Sequence, residues 1–284
     1  MYLLVDSGST KADWVLYDHQ RADFYISGGI NPSTQKSEYI QNQIATIATK
    51  LPHIPKKIFF YGAGTTSEHA KRDLVSFFLN YFPTTELAIN SDLLAAGRSL
   101  CNDKEAIIGI LGTGSHAALC DGHQIKHQLP ALGYILGDEG SGNHLGKEIL
   151  KMYYNQKLDE ELKSALEIKH PELQSDFIYQ LYHSPNPSST LAQFAEFVVK
   201  NKNHITCNQI IMNCFEQFIN SKLLVYKDKS QLPVHLCGSI AFYLKDEIEL
   251  VLSKFRFKLG ECIQKPIHKL LEYHKRELKM KSEK

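Results

Sequence analysis

The opening stretch Asp6-Ser-Gly-Ser-Thr-Lys11 joins an acid to a small polar turn. An apolar strand, Tyr2 to Val5, leads into it, and a second, Ala12 to Tyr17, follows. A turn around Gly8 exposes backbone N–H groups, and the hydroxyls of Ser7, Ser9 and Thr10 add donors, a concavity that suits phosphate oxygens. Asp6 at the strand end suits Mg²⁺ held through water, and Lys11 adds positive charge. The plainer alternative is a hairpin whose Gly and Ser residues satisfy turn geometry.

Gly112-Thr113-Gly114-Ser115 offers the same donors without an acid or a lysine. Two such tips could close on one triphosphate. Leu236-Cys237-Gly238-Ser239-Ile240 is a strand-to-helix turn whose small residues let a flat ring or ribose approach the backbone; ordinary helix initiation by Ser239 is the competing reading. Asn90-Ser91-Asp92 ends one strand and begins a helix, so Asp92 reads as an N-cap, a general base, or both. In Gly137-Asp138-Glu139-Gly140-Ser141 two acids stand between glycines ahead of a helical stretch and read either as a cap or as a grip on sugar hydroxyls, since a carboxylate can accept two hydrogen bonds from a diol. Gly28-Gly29-Ile30-Asn31-Pro32 is a turn sequence whose amide also suits a sugar.

Strand–helix alternation positions these residues. Ile58 to Tyr61 is a short strand ending in Gly62-Ala63-Gly64, Glu68 to Tyr81 has helical spacing, Glu86 to Asn90 is a strand, and a helix begins at Leu93. Such alternation argues for an α/β sheet core. At Ala106 the order of strand, Gly/Ser/Thr turn, strand and Asp turn starts again, an echo that suggests two related α/β domains. Tyr153 to Lys229 is mainly helical, broken at His170-Pro171 and by a loop over 183–189, with core-facing stripes at Phe194, Phe197, Val198, Ile210, Ile211, Cys214, Phe215 and Phe218. A strand over Val234 to Cys237 precedes a helix from Ile240 to about Lys254. The basic tail, Ile267 to Lys284, reads as a solvated helix face.

With 284 residues, 43% apolar and 22% charged, the chain is an ordinary globular protein of one large or two ordinary domains. A net charge of +1 gives no reason to expect nucleic acid or an anionic membrane as partner. No apolar run approaches the roughly 18 residues of a spanning helix, and the start lacks the charged region of a secretory signal. The scattered cysteines at 101, 120, 207, 214, 237 and 262 read as reduced thiols. A cytoplasmic protein is expected.

Taken in order, Asp6-x-Gly-x-Thr-Lys, Gly28-Gly-x-Asn31, Asn-Ser-Asp92, Gly112-Thr-Gly-Ser, Leu136-Gly-Asp-Glu-Gly-Ser141 and the late Cys-Gly-Ser-Ile-Ala resemble the N-acetylglucosamine kinase branch of the sugar-kinase, actin and chaperone-ATPase superfamily. That branch is grouped with the ATPase activators of acyl-CoA reductases and dehydratases. The resemblance runs from residue 2 to about 245. It implies two actin-like (ribonuclease H-like) α/β domains with ATP in an interdomain cleft, the second enlarged by helices. The expected boundaries are 1–105 plus the C-terminal helix 267–284, and 106–266.

The resemblance also implies roles. Gly8, Ser9, Thr10, Lys11, Gly112, Thr113 and Gly114 would hold the phosphates of ATP, Gly238 and Ser239 the nucleoside, and Asp6 the Mg²⁺. Asn31, Asp92, Ser115, Gly133, Gly137 and Asp138 would bind the sugar, with Asp92 as the base. The expected reaction is ATP-dependent phosphorylation of an amino sugar, N-acetylglucosamine at its 6-hydroxyl, by a chain that pairs as a homodimer, as relatives often do. Glucosamine or a muramic acid derivative is the alternative substrate. An iron–sulfur ATPase activator and a non-catalytic sugar sensor are the other readings of the fold. Animal members carry Asn where His116 stands and Gly-Trp where Ala131-Leu132 stand, a wall near the sugar, and they are longer chains.

Overall fold

The structure, a computed structural model, describes residues 1–282. Two five-stranded mixed sheets organise it, one in each of two compact units. The first unit comprises Met1–Glu105, Cys120–Lys126 and Lys265 onward; the second comprises Ala106–Leu119 and His127–Gln264.

In the first unit the strands are β1 (Tyr2–Ser7), β2 (Lys11–Tyr17), β3 (Ala22–Gly28), β4 (Lys57–Gly62) and β5 (Glu86–Ser91), in the order β3-β2-β1-β4-β5. β1 pairs antiparallel with β2 and parallel with β4, which in turn pairs parallel with β5. Helices α1 (Ser37–Ala48) and α2 (Glu68–Leu79) cover one face, and α3 (Asp92–Leu100) lies on the other. That double cover explains why β1 reads as a continuous apolar run instead of an alternating one. Leu3 and Val5 pack with Ile40, Ile44, Leu74 and Phe78, while Leu4 between them packs with Ala95 on the opposite face. Each such side chain contributes roughly 1.5–3 kcal/mol when fully buried.

The second sheet contains β6 (Ala106–Leu111), β7 (Ser115–Cys120), β8 (Ile125–Gln128), β9 (Pro233–Cys237) and β10 (Lys258–Ile263), in the order β10-β9-β6-β7-β8. β9 is parallel to both β6 and β10. The helices are α4 (Gly133–Leu136), α5 (Gly142–Tyr154), α6 (Glu160–Lys169), α7 (Phe177–Tyr182), α8 (Pro187–Ala192), α9 (Ala195–Lys200), α10 (Ile205–Phe218), α11 (Ser239–Tyr243) and α12 (Lys245–Lys254). Ile107 and Leu111 of β6 share a core with Leu145, Ile149, Phe194, Phe215, Phe218, Val234 and Leu236.

The structure departs from expectation in several places. Part of the 183–189 loop is helical, because Pro187 opens α8 at a position where its missing N–H costs nothing. The helix expected from Ile240 to Lys254 breaks at Leu244, whose backbone (φ −113°, ψ 32°) is not helical. Strands β3, β8 and β10 were not expected. The tail is not a solvated face: the final helix, α13 (Ile267–Ser282), returns to the first unit and buries Ile267, Leu270, Leu271, Tyr273 and His274. His274 Nε2 lies 2.8 Å from the buried Tyr61 hydroxyl. Among the described residues no helix is long and apolar enough to cross a membrane.

Candidate functional site

Each unit gathers its polar turns at the carboxyl ends of its parallel strands, where open α/β sheets bind ligands. In the first unit Asp6, Tyr61 and Asn90 lie in one row across β1, β4 and β5. The turn after β1 closes through Gly8 N–H donating to the Lys11 carbonyl at 3.0 Å. Gly8, Thr10 and Lys11 are exposed there, while Ser9 is half-buried.

The turn over residues 28–31 braces that hairpin. The buried Ser7 hydroxyl accepts from Ile30 N–H at 2.7 Å and donates to the Ile30 carbonyl at 3.1 Å. Asn31 Nδ2 donates to Ser9 Oγ at 3.1 Å, and Gln35 Nε2 donates to the Ser9 carbonyl at 3.1 Å. A Cβ on Gly29 would lie 2.2 Å from the Gly8 carbonyl oxygen, so only glycine permits this approach. Thr65 Oγ1 links the ends of β4 and β5, reaching the Gly62 carbonyl at 2.9 Å and the Asn90 carbonyl at 3.0 Å.

Ser91, not Asp92, caps α3, its hydroxyl accepting from Leu94 N–H at 3.3 Å. Asp92 is the first helical residue, and its Oδ1 accepts from Leu93 N–H at 2.9 Å. The helix N-terminus favours its negative charge.

Asp6 is electrostatically unsettled. Burial pushes its carboxyl from 3.8 up to about 7; Asp13 and Asp92 push the same way, and Lys265 opposes them. Asp13 stands opposite Asp6 in the β1–β2 register and already holds Lys265 Nζ at 2.9 Å. Negative potential around Asp6 is therefore only partly compensated, as a cation site requires. Among the described residues no group of three or more His, Cys, Asp or Glu side chains is arranged to hold a metal. A cation there would take most of its ligands from water or phosphate, which is the habit of Mg²⁺.

In the second unit, the Gly112–Ser115 turn follows β6 and Gly238 follows the neighbouring parallel strand β9. Gly238 has φ +120°, and a Cβ there would stand 2.3 Å from the Leu111 carbonyl oxygen and 3.1 Å from Gly112 N. Gly238 is the N-cap of α11 with no side-chain cap, and Ser239 is the exposed first helical residue, so Ser239 does not initiate the helix by capping it.

The N-terminus of α5 ties the turn to the acidic loop. Gly142 N–H donates to the Gly112 carbonyl at 2.7 Å, and Asn143 N–H to the Thr113 carbonyl at 3.0 Å. The buried Asn143 Nδ2 donates to the Thr113 carbonyl at 2.8 Å and to Asp138 Oδ2 at 2.9 Å. Asp138 Oδ1 accepts from Ser115 N–H at 3.2 Å, and a Cβ on Gly114 would touch the Asp138 carboxylate. Asp138 has a left-handed backbone, φ +62°. Gly137 N–H donates to the Gly133 carbonyl at 2.8 Å, which brings Gly133 into the same loop. His116 lies apart from these bonds, its Nε2 2.9 Å from the Leu129 carbonyl.

Thus Asp6, Gly8, Ser9, Thr10, Lys11, Asn31 and Asp92 lie at the strand ends of the first unit, and Gly112, Thr113, Gly114, Ser115, Gly133, Gly137, Asp138, Gly238 and Ser239 gather in the second. Sequence reasoning missed Asp13, Gln35, Thr65, Asn143 and Lys265. Only Asn143 carried a signal, as the polar residue directly after the Gly140-Ser-Gly run.

No family model and no curated protein matches the chain. Solved structures do. A protein of Porphyromonas gingivalis, provisionally named an N-acetylglucosamine kinase, is 32% identical over 97% of this chain and 99% of its own, with a TM-score of 0.86. A protein of the same provisional name from Chromobacterium violaceum is 18% identical over 96% of this chain and 98% of its own, with a TM-score of 0.70. A ROK family glucokinase from Streptomyces griseus, solved with glucose and AMPPNP, is 12% identical over 96% of this chain and 97% of its own, with a TM-score of 0.55. The last two likenesses show the actin-like two-domain fold.

Proposed function

This chain belongs to the N-acetylglucosamine kinase family of the sugar-kinase and actin superfamily, and on that premise we propose that it transfers the terminal phosphoryl group of ATP to the 6-hydroxyl of N-acetylglucosamine. The observation that carries the reading is the Asn143 side chain. One amide bonds both the turn suited to phosphate and the carboxylate suited to a sugar diol. The two reactants of a phosphoryl transfer must be held in fixed relation, and a shared buried side chain does that.

Phosphoryl transfer asks the protein for placement and charge stabilisation more than for covalent chemistry. The backbone N–H groups around Gly8 in the first unit and around Gly112–Gly114 in the second each suit phosphate oxygens. Lys11 adds a mobile positive charge. Gly238 lets the nucleoside approach the backbone. Asn31 in the first unit and Asp138 in the second each suit sugar hydroxyls, and Ser115, Gly133 and Gly137 shape the loop around Asp138. Asp92 accepts the proton of the attacking hydroxyl, a contribution of about 10²–10⁴-fold. Asp6 would hold Mg²⁺, which would supply neutralisation of the charge on the phosphates. Water must be kept from the site, because it would otherwise compete as acceptor.

Specificity is tested by a sugar panel in a coupled ADP assay. N-acetylglucosamine should give the highest kcat/KM, with the phosphate at the 6-position by NMR. Glucosamine or a muramic acid derivative turning over faster would replace the substrate and keep the reaction class. ADP release indifferent to every sugar would overturn the reading.

A further inference from the structure

We infer that Lys222, which belongs to none of the recognised motifs, positions the Gly137–Glu139 loop and thereby the carboxylate of Asp138; the inference rests on the reading of Asp138 as a sugar ligand. Lys222 is only 4% exposed, and lysine is almost never fully buried unless paired. It lies where α10 runs on into a π-helical turn, Ile219–Leu223, a deformation frequent at functional sites.

Two successive side chains of that turn converge on one carboxylate oxygen. Ser221 Oγ donates to Glu139 Oε2 at 3.1 Å, and Lys222 Nζ lies 3.4 Å from the same atom. Burial raises the Glu139 carboxyl, but its own backbone N–H, Lys222 and Ser221 outweigh that and hold it below its ordinary value. The Glu139 backbone is fastened as well, its carbonyl accepting from Ser115 Oγ at 2.6 Å. A Cβ on Gly137 would lie 3.5 Å from Lys222 Nζ, so the lysine supports the loop from beneath.

Asp138 sits between these anchors with φ +62°. A non-glycine residue persists there only where its surroundings over-determine it. Glu139 is the anchor on the carboxyl-terminal side, and Lys222 holds Glu139. Stability alone gives little reason for the pair, since well-packed apolar residues often replace a buried ion pair at no loss. Lys222 is therefore a positioning residue: it sets the direction in which Asp138 presents its carboxylate.

Lys222→Met keeps the apolar stem and leaves the Glu139 charge without its partner. The variant should melt lower, raise the sugar KM at least ~10-fold, as small misplacements at an active site do, and leave the ATP KM within about twofold. The double variant Lys222→Met with Glu139→Gln removes the stranded charge. It should recover most of the lost Tm while the sugar KM stays raised. A sugar KM unchanged in the single variant, or one that recovers together with Tm in the double, overturns the inference. If the single variant does not fold, the double carries the same KM test. Amide exchange of residues 137–141, measured on these proteins without substrate, reads the anchor independently of the reaction. It should quicken at least ~10-fold, a difference local opening readily produces; unchanged protection overturns the inference. A wild-type chain that phosphorylates no sugar would sink the reading of Asp138 and leave the exchange result to decide the anchor.

Discussion

A carboxyl held near pH 7 keeps, in the folded chain, a proton that the unfolded chain has already released. That is the condition of Asp6, raised from 3.8 to about 7 by burial and by Asp13 and Asp92. The folded state binds more protons across that window, so stability falls as pH rises from about 4 to about 7, and the full penalty persists above it. Asp6→Asn removes the penalty. At pH 8 the variant should melt at least ~3 °C above the parent, the shift that about 1 kcal/mol produces in a domain of this size. At pH 3, below both values, the gain should vanish. Turnover with Mg²⁺–ATP should fall sharply in the same variant. Thermal melts at the two pH values check the first part, and equal melting at pH 8 would show that Asp6 is not strained.

Elements, more than single side chains, decide where the turns stand. The Gly112 turn is fixed from one side by α5 and from the other by the start of α11, where Gly238 abuts Leu111 and Gly112. Gly238→Ala sets a methyl 2.3 Å from the Leu111 carbonyl in a left-handed backbone, so the turn must move. The cost in stability should be about 1–3 kcal/mol, as for other overpacked sites. Nucleotide affinity by titration calorimetry should fall at least ~10-fold, or about 1.4 kcal/mol, while sugar affinity without nucleotide changes little. Loss of sugar affinity with nucleotide affinity intact would reverse the assignment of this turn. The central strands and their turns were legible because burial on both faces writes apolar runs that end in glycine and acid. Three of the four edge strands, β3, β8 and β10, were not. β3 alternates half-buried and exposed residues, and β10 changes register between Leu259 and Cys262, so neither shows the run of a central strand. In α13 the helical spacing of Ile267, Leu270, Leu271 and His274 was present, but the surrounding lysines and Arg276 outweighed it.

At the scale of the whole molecule, the order of motifs along the chain could be read from the sequence, and the likeness to the Porphyromonas gingivalis protein extends across 97% of the chain. The return of residues 120–126 to the first unit could not be deduced from any local pattern, and the place of the C-terminal helix was expected from the resemblance alone, because packing between distant segments leaves no local signature. Lys222 escaped notice for the same reason, since it works on a loop distant in sequence and belongs to no motif; Asn143 stood beside a motif, but its bond to the Thr113 carbonyl thirty residues away could not be read. The account stands on one claim, that the chain hands a nucleotide's terminal phosphoryl group to a sugar hydroxyl deprotonated by Asp92. Sugar-dependent ADP formation by Asp92→Asn, read beside its ATP affinity, tests that claim most directly. The account predicts turnover at least ~10²-fold below the parent, as loss of a positioned base produces, with ATP affinity within about threefold. A folded variant that keeps more than about a tenth of parental turnover would contradict it.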